Sequence, residues 1–226
     1  MQEMKSIFAC SLAFLVALFL AAPIARGAQD VLVQRISGQV DYQAMSGENQ
    51  ESIVGQVLVQ PRGYTLTRAR SMAAIDLPDS SVISVGASSR VGLSFFDMLG
   101  STPHALMTIY DGAIHFSVRH PAGAHSNYTF VTPVAQIAIR GTEGVIVTRG
   151  DEAIVACVHG MDNDTVIMYG NNQRMYVPLG ATVRIRGRIG SQAVMSMHRG
   201  ISGSEFDQFK PIIARNHAMR MRGITR

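Results

Sequence analysis

Short strand patterns follow one another from residue 31 to about residue 197, with turn residues between them roughly every 8–12 residues. The runs are rich in Val, Ile, Thr and Tyr, and many alternate apolar with polar residues, as "GYTLT" at 63–67 does. No segment of this region repeats apolar residues at the helical period of about 3.6. The pattern predicts an all-β domain of short antiparallel strands, either a sandwich or a solenoid-like arrangement.

The alternation is clearest on either side of Asp111-Gly112. An Asp-Gly pair between two alternating apolar runs is a strong signal for a tight β-hairpin turn. We therefore predict a hairpin at this pair, with Ile114, Phe116 and Val118 of the second run facing the core.

The first 27 residues have the layout of a secretory signal peptide. Lys5 precedes an apolar run from Ile7 to Ala22, which is short beside the roughly 20 residues of a membrane span. Ala25 and Gly27 supply the small residues expected before a cleavage site after Gly27. We predict a signal peptide over 1–27 and a periplasmic mature protein, with an uncleaved N-terminal anchor as the alternative.

Charge is unevenly distributed along the chain. Residues 28–183 contain nine Lys or Arg and 13 Asp or Glu, a net charge of −4, whereas residues 184–226 contain nine and two, a net charge of +7. A basic tail suits an anionic surface or an acidic partner. Export argues against nucleic acid as that partner.

The C-terminal segment changes from strand to helix patterning. Ser204 and Asp207 resemble the start of a capping box, and Pro211 either kinks the helix or begins a second one. Phe206, Phe209 and Ile213 fall near one helical face. We predict the all-β domain over 31–187, a linker over 188–203 and a short helix within 204–226 that ends near Gly223.

That helix has two possible roles. It packs on the sheet through its Phe residues, or it is an interaction helix for a membrane surface or an acidic partner. The candidate binding residues of the tail are four of its basic side chains: Lys210, Arg215, Arg220 and Arg222.

No stretch of the sequence carries a catalytic or metal motif. Asp79 and Asp111 lack the matched loops of an aspartic-protease pair. His115, His120 and His125 recur without zinc-site spacing, and we predict that they are solvated. We expect no cofactor, no metal and no enzymatic activity, although catalytic residues that meet only in space would escape such a search.

Cysteine usage agrees with this interpretation. Cys157 is the one cysteine of the predicted mature chain, so an intrachain disulfide is excluded. It lies in the apolar run "EAIVACVHG", which favours a buried structural thiol over a reactive one.

The segments "GQVLVQPRGYTLTRARSMAAIDLPDSSVISVGASSRVGL", "LMTIYDGAIHFSV" and "FVTPVAQIAIRGTEGVIV" together resemble the FecR domain family over roughly residues 31–187. Two places depart from the family pattern: Ser80 replaces the middle Gly of an Asp-Gly-Ser turn, and Glu143-Gly144 stands where a bulky apolar residue is usual. The positions that match the family motifs are Gly55, Leu58, Thr67, Asp79, Ser81, Gly112, Thr132, Pro133, Arg140, Gly141 and Thr142.

The resemblance implies a periplasmic domain that receives a signal from an outer-membrane receptor. In known members this domain is joined to a cytoplasmic segment that controls a sigma factor. We expect no such cytoplasmic segment ahead of the apolar run of this chain. The expected function is therefore an exported module that binds an envelope protein or a cell-wall component. Its candidate binding residues are the most specific motif positions: Asp79, Thr132, Pro133, Arg140, Gly141 and Thr142.

The Arg-Gly-Thr element also has a structural interpretation. Ala135, Ile137 and Ile139 should share one face of a strand, with Arg140 on the opposite face. Gly141 would permit a bulge or a sharp bend there. The hydroxyl of Thr142 would then bond to nearby backbone.

Overall fold

The computed structural model describes residues 31–47, 50–119, 125–160, 164–169, 173–187, 193–201 and 203–221. The predicted signal peptide at 1–27, Arg222 and Gly223 lie outside these residues. The described part contains no helix that is long and apolar enough to cross a membrane. Its elements, in chain order, are β1 (Val31–Ser37), β2 (Val40–Ala44), β3 (Glu51–Ser52), β4 (Gln56–Val59), β5 (Gly63–Thr67), β6 (Met72–Asp76), β7 (Val82–Val85), β8 (Arg90–Leu99), β9 (Thr102–Ser117), β10 (Asn127–Val131), β11 (Ala135–Ile139), β12 (Glu143–Arg149), β13 (Glu152–His159), β14 (Thr165–Tyr169), β15 (Gln173–Tyr176), β16 (Ala181–Arg186), β17 (Val194–Arg199), α1 (Ser204–Asp207) and α2 (Lys210–Met221).

The strands form two sheets that share β9, which confirms the all-β prediction. Sheet A has the order β4-β1-β6-β7-β9-β12-β13-β16-β17, and sheet B has the order β3-β2-β5-β8-β9-β10-β11-β14-β15. Within the described strands every pairing is antiparallel except that of β9 with β10. The two sheets pack face to face, as in a β-sandwich.

The hairpin predicted at Asp111-Gly112 is wrong, because β9 runs unbroken through this pair. Residues 102–111 pair with β8 and β10 in sheet B, and residues 112–117 pair with β7 and β12 in sheet A. Each half of β9 is already flanked on both sides, so the chain changes sheets here without reversing. Gly112, with φ 96°, permits the change, and a Cβ at this position would lie 2.6 Å from the Cα of Ser89.

The main core lies between the two sheets. Ile114, Phe116 and Val118 are buried in it, as predicted. The Phe116 ring of sheet A lies 5.5 Å from the Phe130 ring of sheet B, centroid to centroid. An aromatic pair at this separation adds about 0.5–1.5 kcal/mol to the stabilisation that comes from burial alone.

A third layer covers the outer face of sheet A. Phe206 and Phe209, 2% and 0% exposed, pack on a second apolar cluster, and each stabilises this contact by about 1.5–3 kcal/mol. The predicted packing of the helix through its Phe residues is thus confirmed. The cluster's sheet A side consists of Ala113, Val145, Val147, Ile154 and Ala156.

The start of the helical segment differs from the expectation of a capping box. Gly203 occupies the N-cap position and no side chain caps α1, so Ser204 already lies inside the first turn. Pro211 is the second residue of α2, where a missing amide N–H leaves no helical hydrogen bond unmade. Of the two roles weighed for Pro211, the beginning of a second helix is the one observed.

Sheet A continues beyond residue 187, the end predicted for the domain. β17 pairs antiparallel with β16 over the whole length of both strands. The predicted linker at 188–203 therefore contains a strand, and the domain boundaries themselves stay a prediction.

Candidate functional site

The Arg-Gly-Thr element is the point at which the chain passes from sheet B to sheet A. β11 ends at Ile139 and β12 begins at Glu143. Gly141 has φ 134° between them, which a residue with a side chain would rarely adopt. Arg140 donates its backbone N–H to the carbonyl of Asp164 at 2.9 Å, and Thr142 accepts at its carbonyl from the N–H of Val118 at 3.0 Å. The element is a bend that is bonded on both of its flanks.

Thr142 and Cys157 are buried together on the sheet A side of this bend. The Thr142 hydroxyl donates to the carbonyl of His159 and lies 3.5 Å from the Cys157 Sγ. Cys157 is buried and forms no disulfide with another described residue, as predicted. The hydroxyl is hydrogen-bonded to the backbone, so Thr142 stabilises the bend and is not an exposed nucleophile.

Thr132 and Pro133 form the turn between β10 and β11. The Thr132 hydroxyl donates to the Ala135 carbonyl and accepts from the Ala135 N–H, each at 3.0 Å. Thr132 is 1% exposed, whereas Pro133 is exposed. This turn lies at the opposite end of β11 from Arg140, so the structure does not bring the two halves of the motif together.

Asp79 organises the turn between β6 and β7. Its carboxylate accepts from the N–H of Ser81 at 3.0 Å, from the hydroxyl of Ser81 at 2.8 Å and from the hydroxyl of Tyr128 at 2.8 Å. Burial, followed by the charge of Asp79, raises the pKa of Tyr128 far above its ordinary value. Ser80 takes φ 67°, so the turn forms although the family's Gly is absent.

A chain of hydrogen bonds connects the Asp79 turn to the Arg-Gly-Thr bend. Ser81 Oγ accepts from the N–H of Arg119 at 2.9 Å, and the Arg119 carbonyl accepts from the hydroxyl of Ser126. The N–H of Ser126 donates to the Arg140 carbonyl at 3.1 Å. Two of the family-motif turns are therefore connected through the hydroxyls of Ser81 and Ser126 and through backbone groups, while the side chain of Arg140 is exposed.

A buried hydrogen-bonded pair that the sequence did not predict lies beside the bend. His115 Nε2 and Glu143 Oε1 are 2.8 Å apart, and each side chain is 1% exposed. The prediction that the histidines are solvated is wrong for His115, because β9 is covered on both faces at this position. His125 is exposed, and His120 lies outside the described residues.

The C-terminal helical segment closes over this pair. Asn216 Nδ2 donates to Glu143 Oε1 at 2.9 Å, and the Phe209 ring lies 6.0 Å from the His115 ring. His115 Nδ1 has no hydrogen-bond partner among the described residues. The sequence did contain a signal for this pair, because Glu143-Gly144, directly after Arg-Gly-Thr, departs from the family pattern.

Gly144, the second departure, has a packing reason. A Cβ there would lie 2.3 Å from the Ala156 carbonyl oxygen and 2.5 Å from Phe116 Cζ. The Phe116 ring thus occupies the space that a side chain at 144 would need. β12 carries a register irregularity between Glu143 and Gly144 where it pairs with β13.

The outward side of α2 carries the described part of the basic tail. Lys210 and Arg215 are exposed, and Lys210 Nζ lies 2.6 Å from Asp207 Oδ1 in a solvent-exposed pair. The side chain of Arg220 and all of Arg222 lie outside the described residues. Across the described ranges no group of three His, Cys, Asp or Glu side chains could hold a metal ion.

A groove of about 480 Å³ opens at the edge of the sandwich where β3 and β4 lie. Its walls include Tyr42, Ile53, Val54, Leu58 and Arg62. Val54 is 85% exposed and Leu58 is 63% exposed. Val54 and Leu58 are therefore accessible to a partner, whereas Thr132 and Thr142 are buried.

Comparison with known proteins agrees with the resemblance over its central part. Residues 64–161 match the family model described as FecR protein. The flanks of the expected range, 31–63 and 162–187, lie outside that match. No curated protein matches the sequence.

Two crystal structures, at 1.65 and 2.50 Å resolution, of a protein described as "a putative anti-sigma factor" from Parabacteroides distasonis ATCC 8503 are similar to this chain. Each superimposes with a TM-score of 0.48 at 12% sequence identity and covers 66% of this chain. This chain spans 62% of the length of that protein.

The family match contains the Asp79 turn, the Thr132-Pro133 turn and the Arg-Gly-Thr bend, each with the geometry described above. Residues 64–161 of this chain match the FecR protein family model.

Proposed function

We propose that this chain is an exported, non-enzymatic FecR-domain protein that acts as a protein-binding or signalling module in the bacterial periplasm. The FecR match over 64–161 supports the domain assignment. The signal-peptide layout of 1–27 supports export. The partner is an envelope protein or a cell-wall component.

One observation carries this proposal: the polar motif side chains Asp79, Thr132 and Thr142 are engaged in hydrogen bonds within the domain. Asp79 bonds to Ser81 and Tyr128, and the hydroxyls of Thr132 and Thr142 bond to backbone. These residues hold the sandwich together, which leaves exposed surfaces for recognition. Among the most specific motif positions, Pro133 and Arg140 have exposed side chains.

Export is tested by expressing the full chain with a C-terminal tag in a bacterium with two membranes. The tagged protein should appear in the fraction released by osmotic shock, and its mass should correspond to a chain that begins at Ala28. Leu15→Arg, which places a charge in the apolar run, is the matched control and should keep the protein in the cytoplasm. Equal release of both variants, or an unprocessed wild-type chain in the cytoplasm, would contradict the export step.

Partner binding is tested by cross-linking in the same cells. The wild-type chain should give a specific cross-linked envelope species that survives stringent washing, and the purified chain should not turn over peptidoglycan. Failure to capture any envelope component, together with turnover of cell-wall material, would overturn the proposal in favour of an enzyme.

The second candidate function is binding to an anionic envelope surface through the basic tail. It is favoured by the exposure of Lys210 and Arg215 on α2, whose opposite side is anchored to sheet A. Each Lys or Arg near an anionic lipid surface contributes about 1 kcal/mol. Deletion of 204–226 is a poor test, because it would uncover the apolar face beneath Phe206 and Phe209.

Charge neutralisation avoids that difficulty. Replacing the four candidate binding residues of the tail by Gln should abolish salt-sensitive binding to vesicles that contain anionic lipid. The control is Arg70→Gln with Arg149→Gln, which neutralises exposed cations outside the tail. Unchanged binding of the tail variant would exclude this candidate. The tail substitutions are Lys210→Gln, Arg215→Gln, Arg220→Gln and Arg222→Gln.

A further inference from the structure

The two sheets end in four edge strands, and β4 differs from the other three. β3 has two residues and contains Glu51, β15 contains Arg174, and β17 contains Arg199. Charges and short length are the usual means by which a sheet edge avoids pairing with another chain. β4, "QVLV", has neither a charge nor a proline. Among the described edges it is therefore the one that lacks this protection.

The register of β4 shows which of its backbone groups point outward. Arg35 N–H donates to the Gly55 carbonyl at 2.7 Å, and the antiparallel pairing continues with Gln34 opposite Gln56 and Val31 opposite Val59. Antiparallel residues alternate between pairs that exchange both hydrogen bonds and pairs that exchange none. The N–H and C=O groups of Gln56 and Leu58 therefore point away from β1, toward the open edge.

Apolar side chains accompany these outward groups. Leu58 is 63% exposed and Val54 is 85% exposed, and both line the groove of about 480 Å³. A strand added at this edge would find two backbone ladder positions and an apolar groove beside them. Main-chain bonds supply affinity in such strand addition, and pockets for alternate side chains supply specificity.

The charges of the groove indicate the composition of the added strand. Glu51 and Arg62 are exposed and both line the groove, and neither forms an ion pair with another described residue. A segment that complements them carries an uncharged, alternately apolar centre with a basic residue on the Glu51 side and an acidic residue on the Arg62 side.

We propose that the β4 edge accepts an extended strand of this composition from a partner protein, as the docking step of the binding function proposed above. The small size of the edge favours such a partner over a second copy of this chain. Two four-residue strands paired edge to edge would bury far less than the roughly 1,200–2,000 Å² of a stable interface. A partner segment can also fill the groove, which a second β4 would not enter.

The test places a photo-cross-linking amino acid at Gln56 and, in a second variant, at Leu58, each in the full chain expressed in the envelope. Cross-links from the two positions should map two residues apart on one segment of one partner protein. Mapping to β4 of another copy of this chain, or to unrelated partner segments, would overturn the proposal.

Leu58→Lys provides the complementary experiment, since a charge on an edge strand opposes strand addition. This variant should lower capture of the cross-linked partner about tenfold or more, the equivalent of about 1.4 kcal/mol. Val194→Lys is the matched control, because Val194 is 72% exposed on β17, at the opposite edge of sheet A, and it should leave capture unchanged. Equal urea unfolding curves for both variants and the wild type establish that the fold is intact.

The outcomes separate this proposal from the function on which it rests. If the wild type and Leu58→Lys capture the same amount of the partner protein, docking at β4 is overturned, while the binding function stands. Absence of any captured envelope component with the wild type would overturn the binding function and the docking step together. If Leu58→Lys alters the unfolding curve, hydrogen exchange of the wild-type chain decides instead. The captured partner should then protect the amides of Gln56 and Leu58 from exchange, and unprotected amides would contradict the proposal.

Discussion

Neighbouring strands β11 and β12 lie in different sheets and show how differently the two sheets are covered. β11 in sheet B alternates, with Ala135, Ile137 and Ile139 buried and Gln136 exposed. β12 in sheet A is buried at every residue from 143 to 148. The difference arises because α1 and the residues that follow it cover the outer face of sheet A, whereas the outer face of sheet B around Gln136 meets solvent.

The comparison teaches that the composition of a strand indicates whether a further layer covers the outer face of its sheet. A strand buried on both faces reads as a continuous apolar run, and a strand buried on one face alternates. "GVIV" in β12 and "AIVAC" in β13 are continuous runs, whereas "AQIAI" in β11 alternates. A layer outside sheet A was thus implied by the sequence, although the residues that form this layer lie more than 40 positions further along the chain.

Removing a phenylalanine side chain from the segment that covers sheet A should have the largest effect. Phe209→Ala should lower the free energy of unfolding by about 3–5 kcal/mol, since it leaves a cavity against sheet A. Phe95→Ala on sheet B is the matched control, because Phe95 is 45% exposed, and it should cost about 1 kcal/mol or less. Urea unfolding followed by circular dichroism measures both, and equal losses would contradict the difference in cover.

Removing the buried carboxylate should come next. Glu143→Ala leaves His115 and the Asn216 Nδ2 without the hydrogen-bond partner they share and should cost about 1–3 kcal/mol. The exposed pair of Lys210 and Asp207 is the control, and Asp207→Ala should cost less than about 1 kcal/mol. The same unfolding measurement applies. A small loss for Glu143→Ala would mean that water reaches His115 and that the cover over sheet A is open.

Low pH should lower the free energy of unfolding, because each sheet contains a carboxylate whose pKa in the folded protein lies below its ordinary value. Burial raises the pKa of Glu152 in sheet A, but hydrogen bonds and charges from Arg184 and Arg186 outweigh it and hold that pKa below the ordinary value. Burial likewise raises the pKa of Asp41 in sheet B, where hydrogen bonds from neighbouring side chains and the charge of Arg68 lower it overall. A lowered pKa in the folded state means stability that is present above the unfolded-state pKa, about 4, and lost as pH falls through the folded-state pKa.

Glu152→Gln and Asp41→Asn should each flatten the fall in stability below about pH 4. Unfolding measured from pH 3 to pH 7 checks this, and the double variant should flatten it more than either single variant. An unchanged slope in both single variants would show that other groups cause the acid loss.

The smallest effect is expected at the exposed motif residue. Arg140→Ala should change the free energy of unfolding by no more than about 0.5 kcal/mol, because the bend is bonded through the backbone of Arg140 and its side chain is exposed. A large loss would show that the guanidinium holds the bend. A stable variant that loses partner capture would place Arg140 in the binding surface.

The fold class, the inward-facing residues and the bend at Arg-Gly-Thr could be predicted from the sequence, because each rests on local periodicity or on a single glycine. The course of β9 could not, since Asp111-Gly112 is a turn signal whichever way the chain continues, and its long-range pairing decides the outcome. The pair of His115 and Glu143 also escaped prediction. Its partners are 28 residues apart and meet only because β9 and β12 pair.

Hydrogen exchange of the full chain tests the central structural claim most directly, namely that the C-terminal segment covers sheet A and leaves sheet B open. β11 and β12 are both interior strands, so their ladders are hydrogen-bonded on both sides. The amides of β12 should exchange more slowly than those of β11, and Phe209→Ala should remove most of that difference. Equal exchange in the wild-type chain, or a difference that Phe209→Ala leaves untouched, would contradict the claim.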